Sequence, residues 1–217
     1  MSAGRLRSPS REDARLLRAV DGAIAEAMAR AGLGLECPPG CRRCCVGPFP
    51  ITALDAWRLR SGLHRLAAVH PRRASAVERR ARAALGAMSE GFPGDASGGR
   101  LDGRDEAAVE RFLARHEGLP CPALDPRTGR CDIYAARPLS CRTFGPPVLV
   151  GQERLPPCPL CFGGAPPARV ESIRIAVDPG GIEDEILSRM PDGDAETLVA
   201  FALLGPARPQ RRAPALR

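Results

Sequence analysis

The sequence predicts a mainly α fold, with helices packed around an irregular cysteine-rich core and a short strand pair. Three observations carry this expectation. Apolar residues recur at helical spacing in several segments. Aromatic residues make up only 4% of the chain while alanine is abundant, which favours thin, closely packed helices over a bulky aromatic core. Nine cysteines crowd into stretches that are rich in proline and have no periodicity of their own. With 217 residues and 44% hydrophobic content, the chain is long enough to bury a real core.

Residues 1–9 read as a loose, disordered tail. Ser10 precedes Arg11-Glu12-Asp13, an N-cap with acids in the first turn. The helix it opens carries Leu16, Leu17, Val20, Ile24, Ala27 and Met28 on one face and stops at Gly32 and Gly34. Thr52-Ala-Leu-Asp55 reads as a capping box for a second helix, with Leu54, Trp57, Leu59, Leu63 and Leu66 for burial, ending before Pro71. A third helix, about 72–88, has many Arg and few large apolar residues and is expected on the surface. Gly91 to Gly103 reads as a flexible loop, and Ala107 to His116 as a short helix. From Leu119 to Phe162 the chain is dense in Cys and Pro. Arg169 to Val177 alternates like a strand, and short helices are expected near 181–190 and 194–204. The tail 206–217 is rich in Arg and Pro and reads as disordered. The expected organisation is one domain over 10–205, with its cysteine core at about 35–162.

All 32 basic residues are Arg, and the net charge is +7. Arg, Ala, Gly and Pro are enriched together, the mark of GC-rich codons, so the charge by itself says little about partners. Nucleic-acid binding asks for basic residues on one face, interleaved with aromatic rings. Here the basic residues are spread out and only eight aromatic residues exist, which argues against a nucleic-acid partner. The opening MSAGRLRSPSRED lacks the apolar stretch of a signal peptide, and the longest apolar run, Leu198 to Leu204, is too short to cross a bilayer. The expectation is therefore no membrane association and a cytoplasmic location. Thiols stay reduced there, so the cysteines point to metal ligation more than to disulfides.

The first cluster, Cys37-x3-Cys41-x2-Cys44-Cys45, packs four thiols into nine residues. Cys37 followed by Pro38 suits a helix N-terminus, which would set Cys41, Cys44 and Cys45 about one turn apart on a shared face. Free N–H groups there also lower a thiol's pKa. Adjacent Cys44 and Cys45 point about 100° apart on a helix, so one of them is expected to serve a second metal, bridge two metals or be spare. The second group is looser: Cys121, Cys131, Cys141, then Cys158-Pro-Leu-Cys161. Nine thiols divide most simply as four, four and one. That division suits two tetrahedral zinc ions, an iron–sulfur cluster (4Fe–4S) with a zinc, or two clusters. Cys37, Cys41, Cys44, Cys121, Cys131 and Cys141 are the firmest candidate ligands; Cys45, Cys158 and Cys161 compete for the remaining places. Arg42, Arg43, Arg137 and Arg142 lie beside cysteines and are candidates to offset thiolate charge. His64, His70 and His116 read as solvated side chains, Asp132 as a turn residue and Tyr134 as a packed ring.

These residues resemble a known family. Cys37-x3-Cys41-x2-Cys44-Cys45, Cys121-Pro-x-Leu, Gly129-x-Cys131-x-Ile133-Tyr134 and Arg137-Pro-x-x-Cys141-Arg142-x-Phe144 follow the order and local context of the bacterial cysteine-cluster proteins of the YkgJ type, zinc- or iron-chelating domains. The resemblance covers about residues 35–162. It implies a small, mostly helical metal-binding protein. Flagellin lysine methylases look similar across the cysteine region and are thought to hold an iron–sulfur cluster, which adds weight to iron–sulfur. The leading expectation is thus an accessory metal-binding protein holding an iron–sulfur cluster, zinc or both through seven or eight cysteines. The alternatives are a protein-modifying enzyme related to those methylases, or a metal-handling or redox-sensing protein. The spacing of Cys37, Cys41 and Cys44 is also that of radical-SAM enzymes, but Arg43 stands where an aromatic residue is usual and no barrel pattern follows. No catalytic residue and no protein partner can be named from the sequence.

Overall fold

The computed structural model describes residues 11–31 and 41–205. The two expected tails, the Ser10 cap and Cys37 lie outside the described residues. Helices dominate: α1 (Arg11–Ala31), α2 (Ala53–Val69), α3 (Pro71–Ala87), α4 (Glu106–Arg115), α5 (Leu139–Thr143), α6 (Pro159–Phe162), α7 (Pro167–Ser172), α8 (Ile182–Ser188) and α9 (Val199–Leu204). The short strands are β1 (Pro50–Thr52), β2 (Gly94–Asp95), β3 (Arg100–Leu101), β4 (Val148–Val150), β5 (Glu153–Leu155), β6 (Ile175–Val177) and β7 (Glu196–Leu198). The mainly α expectation holds, but the described strands make three small sheets where one pair was expected: β1 against β7, the β2–β3 hairpin, and β5-β4-β6 with β4 and β6 parallel.

Helices α2, α3 and α9 form one layer around buried Leu59, Leu63, Val77, Ala81, Ala202 and Leu203, and Cys121 and Cys131 pack on its side. Helix α1 covers the β4–β6 sheet through Leu16, Val20 and Ala27. A third cluster joins Met88, Leu101, Phe112 and Leu198, with Phe92 and Phe201 against it.

Several expectations are corrected. Helix α3 is largely exposed, as expected, but it buries one narrow face: Ala74, Val77 and Ala81 are fully buried, because small residues there let α2 and α9 approach while the Arg residues take the outer side. Residues 91–103 are ordered as the β2–β3 hairpin, since Leu101 is buried and Gly99 lies where a Cβ would strike the Phe201 ring. Only Ile175–Val177 of the expected strand at 169–177 is extended; Pro167 opens α7 before it. The segment 194–204 divides into β7 and α9. Cys44 and Cys45 sit in a single 3-10 turn, Arg43–Cys45, rather than along an α-helix face, and Cys41 precedes it.

The Thr52 cap holds, with its hydroxyl accepting from the Asp55 N–H at 3.2 Å. Asp55 does not reach back in a capping box. It turns inward to Arg58, the centre of a buried ionic node. The Arg58 guanidinium, 2% exposed, donates to Asp13 of α1 at 2.5 Å, to Asp55 at 2.6 Å and to Glu183 of α8 at 3.1 Å. Asp55 Oδ1 also accepts the Leu139 N–H at 2.9 Å, which pins the start of α5. Beside this node α2 presses on the 134–136 turn: a Cβ at Gly62 would lie 2.3 Å from that of Ala136, so only glycine fits.

Two outcomes follow from the node. Arg58→Met leaves buried carboxylates without their cation and is expected to cost about 3–5 kcal/mol, read as a lower urea midpoint. Burial, together with Asp55 and Asp178, pushes the Glu183 carboxyl up to about 7 from its ordinary 4.5, against the pull of Arg58. The folded state then holds a proton that the unfolded chain has released. Stability is therefore expected to fall as pH rises between those two values, by about 3 kcal/mol. Chemical denaturation across that range should show a flatter profile for Glu183→Gln.

Candidate metal centre

The residues before β1 and after α4 meet as a two-residue antiparallel contact. Gly47 N–H donates to Leu119 O at 2.7 Å and Cys121 N–H to Cys45 O at 2.8 Å, around a bridge of Val46 with Pro120. This contact carries Cys45 to Cys121. Downstream, Leu124 bridges Cys131 across a tight turn. Asp125 accepts the Arg127 N–H and the Thr128 hydroxyl, and Gly129 takes φ +68°, which side-chain-bearing residues avoid. The Gly129-x-Cys131 spacing is thus a turn that folds Cys131 back beside Cys121. From there the 3-10 turn Tyr134–Ala136 leads through Pro138 into α5, which bears Cys141.

Four sulfurs from these segments share one neighbourhood. The Cys45 thiol is lowered by a hydrogen bond from Cys44, against burial and the charges of Cys121, Cys131 and Cys141. Cys44, the donor, is raised by that bond and by burial. Burial pushes Cys121 up to about 11, while the Ala123 and Leu124 N–H groups favour its thiolate. Cys131 is raised by burial, opposed by the Ile133 N–H and by Arg137 and Arg80. Cys141 is raised most by burial, then by Cys121, Cys44, Asp55 and Cys131. A second lobe lies beyond Cys44: the Cys161 thiol, raised first by burial, interacts directly with Cys158 and also feels Cys41 and Cys44. The eight described cysteines carry no disulfide; Cys158 is buried and the others are half-buried. Among the described residues no three His, Cys, Asp or Glu side chains stand at the separation a single ion imposes. Thiols this close and this buried resist ionisation alone, and a bound cation supplies the missing positive charge.

The surroundings differ from expectation at several points. Arg137 does face thiols, favouring charge on Cys44 and Cys131, and its guanidinium stacks 3.8 Å from the Tyr134 ring centroid. Tyr134 is therefore an exposed platform, 62% accessible, not a packed ring. Arg142 is committed elsewhere: it grips Asp21 of α1 at 2.7 and 2.9 Å and the Ala135 carbonyl at 2.7 Å, tying α5 to α1. Asp132 is more than a turn residue. Its carboxylate, 4% exposed, accepts from Arg73 and Arg80 of α3 at 2.7 Å each, and Arg80 also holds the Pro122 carbonyl at 2.8 Å. Arg80 and Asp55 support the site with no sequence signal for that role, since both approach it only through packing. His64 and His70 are exposed as expected, whereas the His116 ring packs on Phe112 at 4.7 Å.

A family model described as CxxCxxCC, a putative zinc- or iron-chelating domain, matches residues 36–159, more than half of the chain. No curated protein and no solved structure matches. No helix among the described residues is long and apolar enough to cross a membrane.

Asp132→Asn keeps the shape but weakens both guanidinium contacts, and is expected to cost about 1–2 kcal/mol. Hydrogen exchange locates the effect: the Asp125 and Asp132 amides, which bond Arg130 and Ala123, should lose protection while those of α1 keep theirs.

Proposed function

The chain belongs to the CxxCxxCC family of zinc- or iron-chelating domains, and on that premise we propose that Cys45, Cys121, Cys131 and Cys141 hold a metal centre whose occupant is an iron–sulfur cluster. The observation that carries this reading is the convergence of four sulfurs where backbone N–H groups and the Arg80 and Arg137 guanidiniums already favour negative charge on sulfur. Such soft donors fit iron and zinc alike. The cluster is supported over a lone zinc because the donors arrive singly, from turns and loop ends, whereas structural zinc sites are built from closely spaced Cys pairs. Cys37 lies outside the described residues, and its place in the motif makes it a further candidate donor.

When bound, an iron–sulfur cluster supplies one-electron chemistry and crosslinks the loops that bear its ligands. The chain's own residues have separate tasks. Asp132 and Arg80 hold the turn that presents Cys121 and Cys131, and Asp55 holds the α5 backbone that presents Cys141. Arg137 offsets thiolate charge, and the apolar side of α2 and α9 excludes water from behind the sulfurs. The proposed role is that of an accessory metal-binding protein.

Elemental analysis and absorption spectroscopy of protein purified without oxygen test this. The expected result is iron with acid-labile sulfide and a band at about 400 nm, lost together in Cys131→Ser and in Cys141→Ser. Zinc held by the same cysteines in a colourless protein would overturn the cluster and keep the centre. A folded, metal-free protein would overturn both.

A further inference from the structure

Cys158-Pro-Leu-Cys161 takes no part in the proposed core centre, and its own backbone holds it in shape. We infer that these two thiols are a reversible redox pair, which closes to an intrachain disulfide by exchange with a small soluble disulfide of the glutathione class.

The geometry begins with the turn. Cys161 N–H donates to Cys158 O at 3.1 Å, and Phe162 N–H donates to the same carbonyl at 2.9 Å. A bond from residue i+3 back to residue i closes a turn whose end Cα atoms stand within about 7 Å. A disulfide spans Cα separations of about 4.4–6.8 Å, so this pair closes with little backbone movement. The turn is also preset. Pro157 and Pro159 flank Cys158 with fixed φ, and Cys158 N–H donates to Gly145 O at 2.8 Å. Buried Phe162 anchors the far end against Ile173 and Met28 of α1, and Cys161 packs on the same cluster.

Topology points the same way. Strands β4 and β6 are parallel neighbours, and the chain between them passes through β5, α6 and α7. The pair sits where β5 gives way to α6, with Cys158 as the N-cap. A C-x2-C beside such a strand–helix–strand crossover is an arrangement in which paired thiols carry redox chemistry.

Exposure separates the two roles. Cys161 is half-buried and follows exposed Pro159 and Leu160, so an incoming disulfide meets it first. Cys158, only 8% exposed, is shielded. The Cys161 thiolate attacks one sulfur of the oxidant and breaks its S–S bond; the expelled thiolate takes up the proton that Cys161 released. Cys158 then attacks the Cys161 sulfur of this mixed disulfide, expels the second thiolate and gives up its proton to it. The chain has lost two electrons and two protons, and the oxidant leaves as two thiols.

One peptide reads the test. Cleavage after Arg154 and Arg169 releases residues 155–169, which carry Cys158 and Cys161 and no other cysteine. Anaerobically purified protein is incubated with reduced glutathione or with excess oxidised glutathione, then denatured in iodoacetamide with a chelator, digested and weighed. The expected peptide carries two alkyl groups in the reduced arm. In the oxidised arm it carries none, is lighter than the free dithiol by two hydrogens, and regains both thiols in dithiothreitol. Cys158→Ser should stop the exchange halfway, with a glutathione adduct on Cys161, while Cys161→Ser should leave Cys158 free of adduct. The unmodified protein decides the matter even where a variant fails to fold. Two alkyl groups in both arms, whether the thiols resist exchange or a metal shields them, would overturn the pair. So would an adduct on each sulfur, or a link from either to another cysteine. The pair does not depend on the core centre: Cys131→Ser should empty the core and leave this exchange as it is.

Discussion

A single guanidinium facing three carboxylates is the constraint from which much of the fold follows. Arg58 is buried with Asp13, Asp55 and Glu183, so its charge is oversupplied with acids and one of them must hold a proton or stay costly. The acids come from α1, α2 and α8, and the relative positions of these helices are set by the need to reach one fork of N–H donors. Through Asp55 the same node takes the Leu139 N–H, and with it the start of the helix that carries Cys141. The ionic node and the cysteine core are therefore mechanically one object.

A second cluster of charge repeats the arrangement around Asp132. Asp132 is buried between Arg73 and Arg80, and Arg80 also secures the Pro122 carbonyl next to Cys121. In both places a buried carboxylate is satisfied by arginine and in turn positions a cysteine-bearing segment. This gives a structural use for the exclusive choice of Arg: its planar fork makes several hydrogen bonds at once, which a lysine cannot match. The fold thereby places cysteines from distant segments within range of each other's charge before any ion neutralises them. Metal binding then completes an arrangement that protein contacts have already begun.

The helical framework was legible from periodicity and caps: α1, α2 and α4 lie where apolar spacing and Thr52 or the 107–116 segment put them. Of the short strands only β6 fell within a segment read as extended; the others were not legible, because two- and three-residue segments carry too little pattern to distinguish from loops. The narrow buried face of the Arg-rich α3 was missed for a related reason: alanine is silent in a hydrophobicity pattern, yet its small side chain is what allows α3 to pack tightly against α2 and α9. The motif Gly129-x-Cys131 was recognisable as a pattern, while its cause, a left-handed turn that folds Cys131 onto Cys121, became visible only with the backbone.

Sequence by itself determined the chemistry: nine cysteines in local groups, soft donors in a chain short of histidine at those places, and the order of motifs that marks the family. Tertiary structure decided the partition. Which sulfurs are neighbours depends on the 45–121 contact, the Asp125 turn and the placement of α6 on α1, all of which join residues far apart in the chain. Local spacing limits which cysteines one ion can reach from a single segment. Only packing and buried charge decide which segments meet, because those forces act between surfaces and not along the chain.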